Sequence, residues 1–334
     1  MTSLSNGRPL RGALIGCGFF GRIQHEAWLR TPGVEIVAAC DPLLDRARAQ
    51  SANAFSDPAD LLASVELDFV DIATRPDSHL DLLRLAVAHG LPAICQKPLA
   101  ESMDDGRAIA ELAATAPVPI MIHENWRWQP WFREAHRLLC GGAIGQPLCH
   151  HFRIRQRDGL GAEPYPNQLY FREMPRLHIH ETLVHSIDTA RYLFGDVSSI
   201  HAHIRKLNPL IQGEDRAVLT LSHVSQVDGI VDGHRFLDPD PPGPAMGTTV
   251  FEGDAGEMRI SAPGEIFLNG SRVYAPPELP GYKGDSARAV QIHFIECLRT
   301  GAKMESSVAN YWNTFATVQA AYQSANTKAT VAVR

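Results

Sequence analysis

Through the first 125 residues, short apolar runs alternate with longer segments whose apolar positions recur every three or four residues. Residues 11–15, 34–39, 68–74, 92–95 and 118–122 are runs of strand length. Residues 19–30, 78–90 and 102–116 repeat at helical spacing. Gly90 stands where a glycine closes a helix, and Ser102, followed by Asp104 and Asp105, reads as an N-cap. Strands alternating with helices of this length predict a parallel, doubly wound sheet. After Gln146 the pattern changes. Stretches at 147–156, 198–207, 216–223, 226–236, 247–253, 257–262 and 265–275 read as consecutive strands with turn-rich links, not as continued strand–helix alternation. Residues 238–244, "DPDPPGP", read as an exposed loop.

Composition narrows the class of protein. A chain of 334 residues with 45% apolar and 20% charged positions is globular and long enough for two domains. A formal charge of -6 argues against a nucleic-acid binder, which carries a basic face. No apolar run reaches the roughly 18 residues that span a bilayer, and "MTSLSNGRPLRG" lacks the apolar core of a signal peptide. Six scattered cysteines without a C-x-x-C pair, three of them (Cys17, Cys40, Cys95) in or beside predicted buried strands, suit a reducing, cytoplasmic location. Only five lysines occur, which makes Lys97, in a segment expected to be buried, more informative.

The most telling local pattern is Gly16-Cys17-Gly18-Phe19-Phe20-Gly21, with a strand before it and a helix after it. In a dinucleotide site the three glycines serve the tight turn, the close approach to the pyrophosphate and the packing of helix on strand. The helix N-terminus offers free N–H groups to the phosphates. The second strand ends in Asp41, placed to hydrogen-bond ribose hydroxyls. Pro42 follows and no arginine comes before Arg46, so a 2′-phosphate would meet negative charge; NAD is expected rather than NADP. Ligands of such sheets lie beyond the carboxyl ends of the strands. Thr74–His79, Gln96–Ala100 and His123–Trp128 occupy that edge. The expected cofactor contacts are Gly16, Gly18, Phe19, Phe20, Gly21, Asp41, Thr74, His79, Gln96 and Lys97. Desolvation there would make Lys97 a usable proton donor or acceptor.

These motifs together resemble the Gfo/Idh/MocA family of NAD(P)-dependent sugar and polyol oxidoreductases. "ATRPDSH" resembles its third-strand loop. "CQKPLA" resembles its Glu-Lys-Pro signature, with Gln96 in place of Glu. "ENWRWQPWFREAHRLL" and "GAIGQP" resemble the crossing into the second domain. "ETLVHSID" is similar to the family's Asp-x-x-x-His-x-x-Asp helix, with Glu181 in the Asp position, and "VQIHFIECLRTGA" and "VQAAYQSA" resemble its last helices. The resemblance implies an α/β protein: an N-terminal Rossmann domain (1–125) and a C-terminal α+β domain (126–334) with an open, mostly antiparallel sheet. It also implies final helices packing back toward the first domain, and homodimers or homotetramers through the C-terminal sheet.

The stretch "RLHIHETLVHSID" gathers His178, His180, Glu181, His185 and Asp188, and three readings compete for it. As a zinc site it has the right ligand types, but His-Glu-x-x-x-His is one residue too long for the zincin pattern. His178 and His180 would also point to opposite sides of an extended segment. No metal is expected. As plain structure it is an amphipathic helix with Glu181 at its N-terminus and His185–Asp188 as a core pair. As an acid/base set, Glu181 and His185 at i and i+4 share one helical face, and the carboxylate stabilises the imidazolium. The resemblance favours the last reading and sets His185 and Lys97 on opposite sides of the substrate carbon. Lys97, His185 and Glu181 are then the candidate catalytic residues. Trp126, Arg127, Arg176, His180 and Asp188 join Lys97 and His185 as candidate substrate contacts. Of the eight arginines from Arg127 to Arg176, the run Arg153, Arg155, Arg157 reads as one face of a strand, while Tyr165 and Tyr170 are candidate pocket walls. The expected partner is a small sugar, polyol or sugar acid. Two alternatives remain: a glycoside elimination assisted by bound NAD, and a non-catalytic NAD-binding sensor.

Overall fold

The computed structural model describes residues 8–334, so residues 1–7, which form part of the stretch read for a signal peptide, lie outside the described residues. The described chain divides into two compact units. The first runs to Asn125 and adds Asp285–Trp312; the second comprises Trp126–Gly284 and Asn313–Arg334.

In the first unit, six parallel strands lie in the order β3-β2-β1-β4-β5-β6. They are β1 (Leu10–Ile15), β2 (Val34–Cys40), β3 (Ala54–Phe55), β4 (Phe69–Ile72), β5 (Ala93–Gln96) and β6 (Ile120–His123). Their central members are buried on both faces, as apolar runs between helices must be. The helices are α1 (Phe19–Leu29), α2 (Leu44–Arg48), α3 (Pro58–Ser64), α4 (His79–Ala88) and α5 (Met103–Thr115). Ser102 caps α5 by accepting the Asp105 N–H at 3.0 Å. The short β3, α2 and α3 escape the periodicity because none completes enough turns or alternations to show one. Asp57 and Pro58 nevertheless mark the start of α3: the Asp57 carboxylate accepts the Ala59 N–H at 2.7 Å. Register aligns the carboxyl ends, Ile15 opposite Cys40 and Ile72, and Gln96 opposite His123. The residues just beyond, Gly16, Asp41, Thr74 and Lys97, therefore share one edge.

The second unit holds nine strands in the order β14-β13-β12-β11-β7-β10-β9-β8-β15, every pairing antiparallel except β7 with β10. They are β7 (Pro147–Arg155), β8 (Val197–Arg205), β9 (Arg216–His223), β10 (Asp228–His234), β11 (Gly247–Gly253), β12 (Gly256–Ile260), β13 (Ile266–Leu268), β14 (Ser271–Tyr274) and β15 (Val331–Ala332). The stretch 265–275 is a hairpin, β13 and β14, turned at Asn269-Gly270 with both φ positive. One face buries Phe152, Leu219, Val231 and Phe251 against α6 (Pro130–Cys140) and α7 (Val184–Phe194), with the Phe194 and Phe251 rings 5.2 Å apart. The other face carries His151, Thr220, Ile230 and Val250 as cross-strand neighbours. The chain ends in α8 (Tyr282–Thr300), α9 (Val308–Thr327) and β15.

Arg153 and Arg155 share a face of β7 as expected, but Arg155 is buried and paired with Asp232 at 2.5 Å, and Arg157 lies beyond the strand. Tyr165 is 2% exposed, in a core cluster with Phe171, Met174, Leu177 and Ile211. It builds that core rather than a pocket wall.

Candidate active site

In the first unit the turn between β1 and α1 shows why each glycine is there. Gly16 has φ +96°, and a Cβ on it would sit 2.6 Å from the Ala73 carbonyl oxygen. A Cβ on Gly21 would lie 2.0 Å from the Gly16 carbonyl oxygen. Both are required by the protein's own packing. Gly18, which caps α1, is different: a Cβ there meets nothing within 4 Å. The chain's own packing does not require glycine at 18, and the space beside it leaves room for a phosphate at the helix N-terminus.

Asp41 follows β2 and is 6% exposed. One carboxylate oxygen accepts the Cys17 N–H and the other the Leu43 N–H, each at 2.9 Å. Each oxygen keeps a lone pair for a ribose hydroxyl, and the negative charge disfavours a 2′-phosphate. The residues present therefore fit NAD. Phe19 is exposed at the start of α1, and Phe20 packs edge-on against His123 at 6.0 Å. Thr74 accepts from the Ser78 hydroxyl at 2.8 Å. His79, expected to touch the cofactor, is fully buried, its ring nitrogens 3.2 Å from the Leu99 carbonyl and 3.3 Å from that of Thr74. Burial lowers its pKa, and it ties two edge loops together instead of meeting a ligand. Lys97 precedes a cis proline and is 9% exposed; its N–H donates to its neighbour, the Gln96 side chain, at 2.7 Å.

In the second unit the histidine-rich stretch is not one α-helix. His178–Leu183 forms a π-helical turn, and α7 begins only at Val184. Glu181 and His185 thus straddle a change of helical pitch, and the single α-helical face expected of an i, i+4 pair is replaced by this wider turn. Glu214 satisfies the N–H groups that open this turn. Its carboxylate accepts the Leu177 N–H at 3.2 Å and the Ile179 N–H at 2.9 Å, and its backbone carbonyl accepts the His178 N–H at 3.1 Å. The Tyr322 hydroxyl donates to Glu214 at 2.7 Å and accepts the His180 N–H at 3.3 Å. Burial pushes the Glu214 carboxyl up. Neither Glu214 nor Tyr322 was signalled by the histidine motif, because both come from distant parts of the chain.

His185 is 8% exposed and stacks on Trp126, ring centroids 4.8 Å apart and planes 2° from parallel. Lys283 lies 4.9 Å over the same indole. Glu181 is also 8% exposed. Arg127 and Asp188, candidates for substrate contact, are instead buried and paired with each other through two hydrogen bonds of 2.7 and 2.5 Å, with Thr314 donating to Asp188 at 2.8 Å. Burial alone would raise the Asp188 carboxyl, but the Arg127 charge and hydrogen bonds hold it below the usual carboxylate range. The pair anchors the Trp126–Trp128 turn to α7, beside the His185 stack. Arg176 is exposed, stacked on Tyr322 at 4.9 Å and donating to Gln319 at 2.7 Å. His178 and His180 are buried, and among the described residues no three His, Cys, Asp or Glu side chains come together as a metal set.

A glycine turn between strand and helix on a parallel sheet, with an acid at the end of the second strand, is the architecture of a dinucleotide-binding domain. Residues 10–124 match an oxidoreductase family with an NAD-binding Rossmann fold, and residues 132–257 match the GFO/IDH/MocA C-terminal domain. Two enzymes named D-apiose dehydrogenase are similar along the whole chain. That of Rhizobium rhizogenes is 35% identical over 98% of both chains, and that of Paraburkholderia graminis 37% over 98% of this chain and 90% of its own. An oxidoreductase from Agrobacterium radiobacter, solved with NAD+, L-tartaric acid and magnesium, has a TM-score of 0.89 at 35% identity, covering 97% of this chain and 98% of that one. The chain belongs to the Gfo/Idh/MocA oxidoreductase family. Among the described residues no helix is long and apolar enough to cross a membrane.

Proposed function

We propose that this protein is an NAD-dependent dehydrogenase acting on a secondary alcohol of a sugar, polyol or sugar acid, with Lys97 and His185 as its acid/base groups. The observation that carries the reading is His185: a titratable ring slightly open to solvent and held in one orientation by the Trp126 stack. Bound nicotinamide would supply the hydride acceptor but no proton chemistry. His185, with the Glu181 carboxylate on the adjoining turn, takes the hydroxyl proton as hydride leaves the carbon. Lys97 donates a hydrogen bond to the same oxygen and stabilises developing alkoxide, or the two residues exchange these roles. The similarity to enzymes named D-apiose dehydrogenase makes a branched aldose the first substrate to try.

The test is a panel of aldoses, polyols and sugar acids with NAD and NADP, followed at the NADH absorbance band. Turnover without net NADH would favour the elimination; NAD binding with no turnover would favour the sensor. In single-turnover measurements His185→Ala and Lys97→Met are each expected to slow hydride transfer about 100-fold or more. Near-normal rates in both would overturn the assignment. The open sheet face bearing Ile230 and Val250 supports association through that sheet, a dimer or tetramer by light scattering.

A further inference from the structure

Strand β4 carries an acid, Asp71, where a strand buried on both faces favours an apolar residue. Its side chain is fully buried, and among the described residues no cation is paired with it. The Cys95 thiol of β5 lies nearby and is itself pushed up by burial. Asp71 accepts from Gln24 Nε2 at 2.7 Å and from Trp28 Nε1 at 2.6 Å, donors one turn apart on α1. Gln24 Oε1 in turn accepts from Gln96 Nε2 at 3.0 Å, and Gln96 Oε1 accepts from the Lys97 N–H at 2.7 Å. Gln291 secures the Gln24 main-chain carbonyl at 2.9 Å. Gln24 is fully buried and Gln96 is 5% exposed, so water does not substitute for a missing link.

The direction of this chain is not arbitrary. An ionised carboxylate only accepts. It therefore turns the Gln24 amide nitrogen inward and its oxygen outward. That in turn presents the Gln96 nitrogen to Gln24 and the Gln96 oxygen to the Lys97 N–H. Reversing either amide alone sets two donors or two acceptors face to face in a buried site, which costs their desolvation without a bond. The same logic accounts for glutamine at 96. A glutamate there would oppose Gln24 Oε1, and turning Gln24 over would then oppose its oxygen to Asp71.

We propose that Asp71 is a positioning residue: through Gln24 and Gln96 it sets the direction of one hydrogen-bond chain that fixes the backbone of Lys97 at the cofactor edge. The inference rests on the reading of Lys97 given above. Four proteins test it: wild type, Asp71→Asn, Gln96→Glu and the double variant. The double variant moves the single acid from the inner end of the chain to the outer end. The new asparagine then donates to Gln24 Oε1, Gln24 Nε2 donates to the new glutamate, and that glutamate still accepts the Lys97 N–H. Assays run at about pH 8, above the value of about 7 to which burial pushes the Asp71 carboxyl.

Each single variant is expected to lose about tenfold or more in kcat, with KM for the alcohol changed less than about threefold, and the double to recover most of the loss. A role in stability alone would not return kcat selectively in the double. Losses that multiply in the double, or single variants with wild-type kcat, overturn the proposal. NADH affinity of the same four proteins is read by fluorescence. If the wild type oxidises no alcohol, the functional reading falls. The proposal is then decided by NADH affinity: recovery in the double supports it, and absence of loss or of recovery overturns it.

Discussion

The three glycines of the β1–α1 turn separate folding from binding, and substituting each by alanine reads the two apart. In Gly21→Ala the new methyl falls 2.0 Å from a backbone oxygen that cannot swing away. Overpacking of this kind costs about 1–3 kcal/mol. Gly16→Ala adds a φ of +96° to a 2.6 Å approach to the Ala73 oxygen. A non-glycine residue held in such a region costs about 1–3 kcal/mol. At roughly 2–4 °C per kcal/mol for a domain of this size, both variants melt several degrees lower. Gly18→Ala meets no protein atom within 4 Å, and its extended φ of -74° suits alanine. Its stability falls by no more than the modest loss of an N-cap glycine, about 1 kcal/mol or less. Its methyl instead stands where a pyrophosphate would reach the helix N–H groups. Losing one or two charge-assisted hydrogen bonds at about 1.5–3 kcal/mol each weakens NAD by about 10- to 100-fold or more. Differential scanning fluorimetry and NADH fluorescence titration measure both quantities on the same samples. A Gly18→Ala protein that binds NADH as the wild type does, or that melts as low as Gly21→Ala, refutes this division.

Two further outcomes follow from the buried charges. Asp188→Ala leaves Arg127 buried without its carboxylate, at an expected cost of about 3–5 kcal/mol in urea unfolding; an unchanged midpoint would mean that Arg127 finds another partner. His150, His178 and His223 are held below their ordinary pKa, chiefly by burial, so the folded protein refuses protons that the unfolded chain accepts. The stability they contribute is present above the unfolded value of about 6.5 and lost as pH falls below it, by at most about 1.4 kcal/mol per pH unit for each. Asp71 and Glu214, both raised, act in the opposite sense: their contribution is lost as pH rises above the usual carboxylate range, for Asp71 up to about 7, and they offset part of the slope. Urea unfolding at pH near 7.5 and 5.5 is expected to show a less stable protein at the lower pH, and His150→Gln to shrink that difference by about 1.4 kcal/mol. Equal stability at both pH values would count against it.

The fold was largely legible because parallel strands buried on both faces read as continuous apolar runs, and glycine and Asp41 sit at fixed offsets from them. The cofactor edge followed from that. His79 and the Arg127–Asp188 pair misled because a polar residue near a site reads the same whether it meets a ligand or another buried group. The π turn was invisible for a different reason. The N–H groups that open His178–Leu183 are satisfied by Glu214 and Tyr322, brought there by tertiary packing from distant parts of the chain. Asp71 left one faint trace, the donors Gln24 and Trp28 spaced by four on the inner side of α1.

The chain passes between its two compact units three times, at Asn125–Trp126, Gly284–Asp285 and Trp312–Asn313. Recombination with a relative therefore cannot exchange the nucleotide half by a single crossover. A chimera that takes a foreign segment up to Asn125 must import residues 285–312 with it, including Gln291 and its bond to Gln24. Such transplants are viable only as two-piece grafts, which ties the inheritance of the segment up to Asn125 to that of residues 285–312.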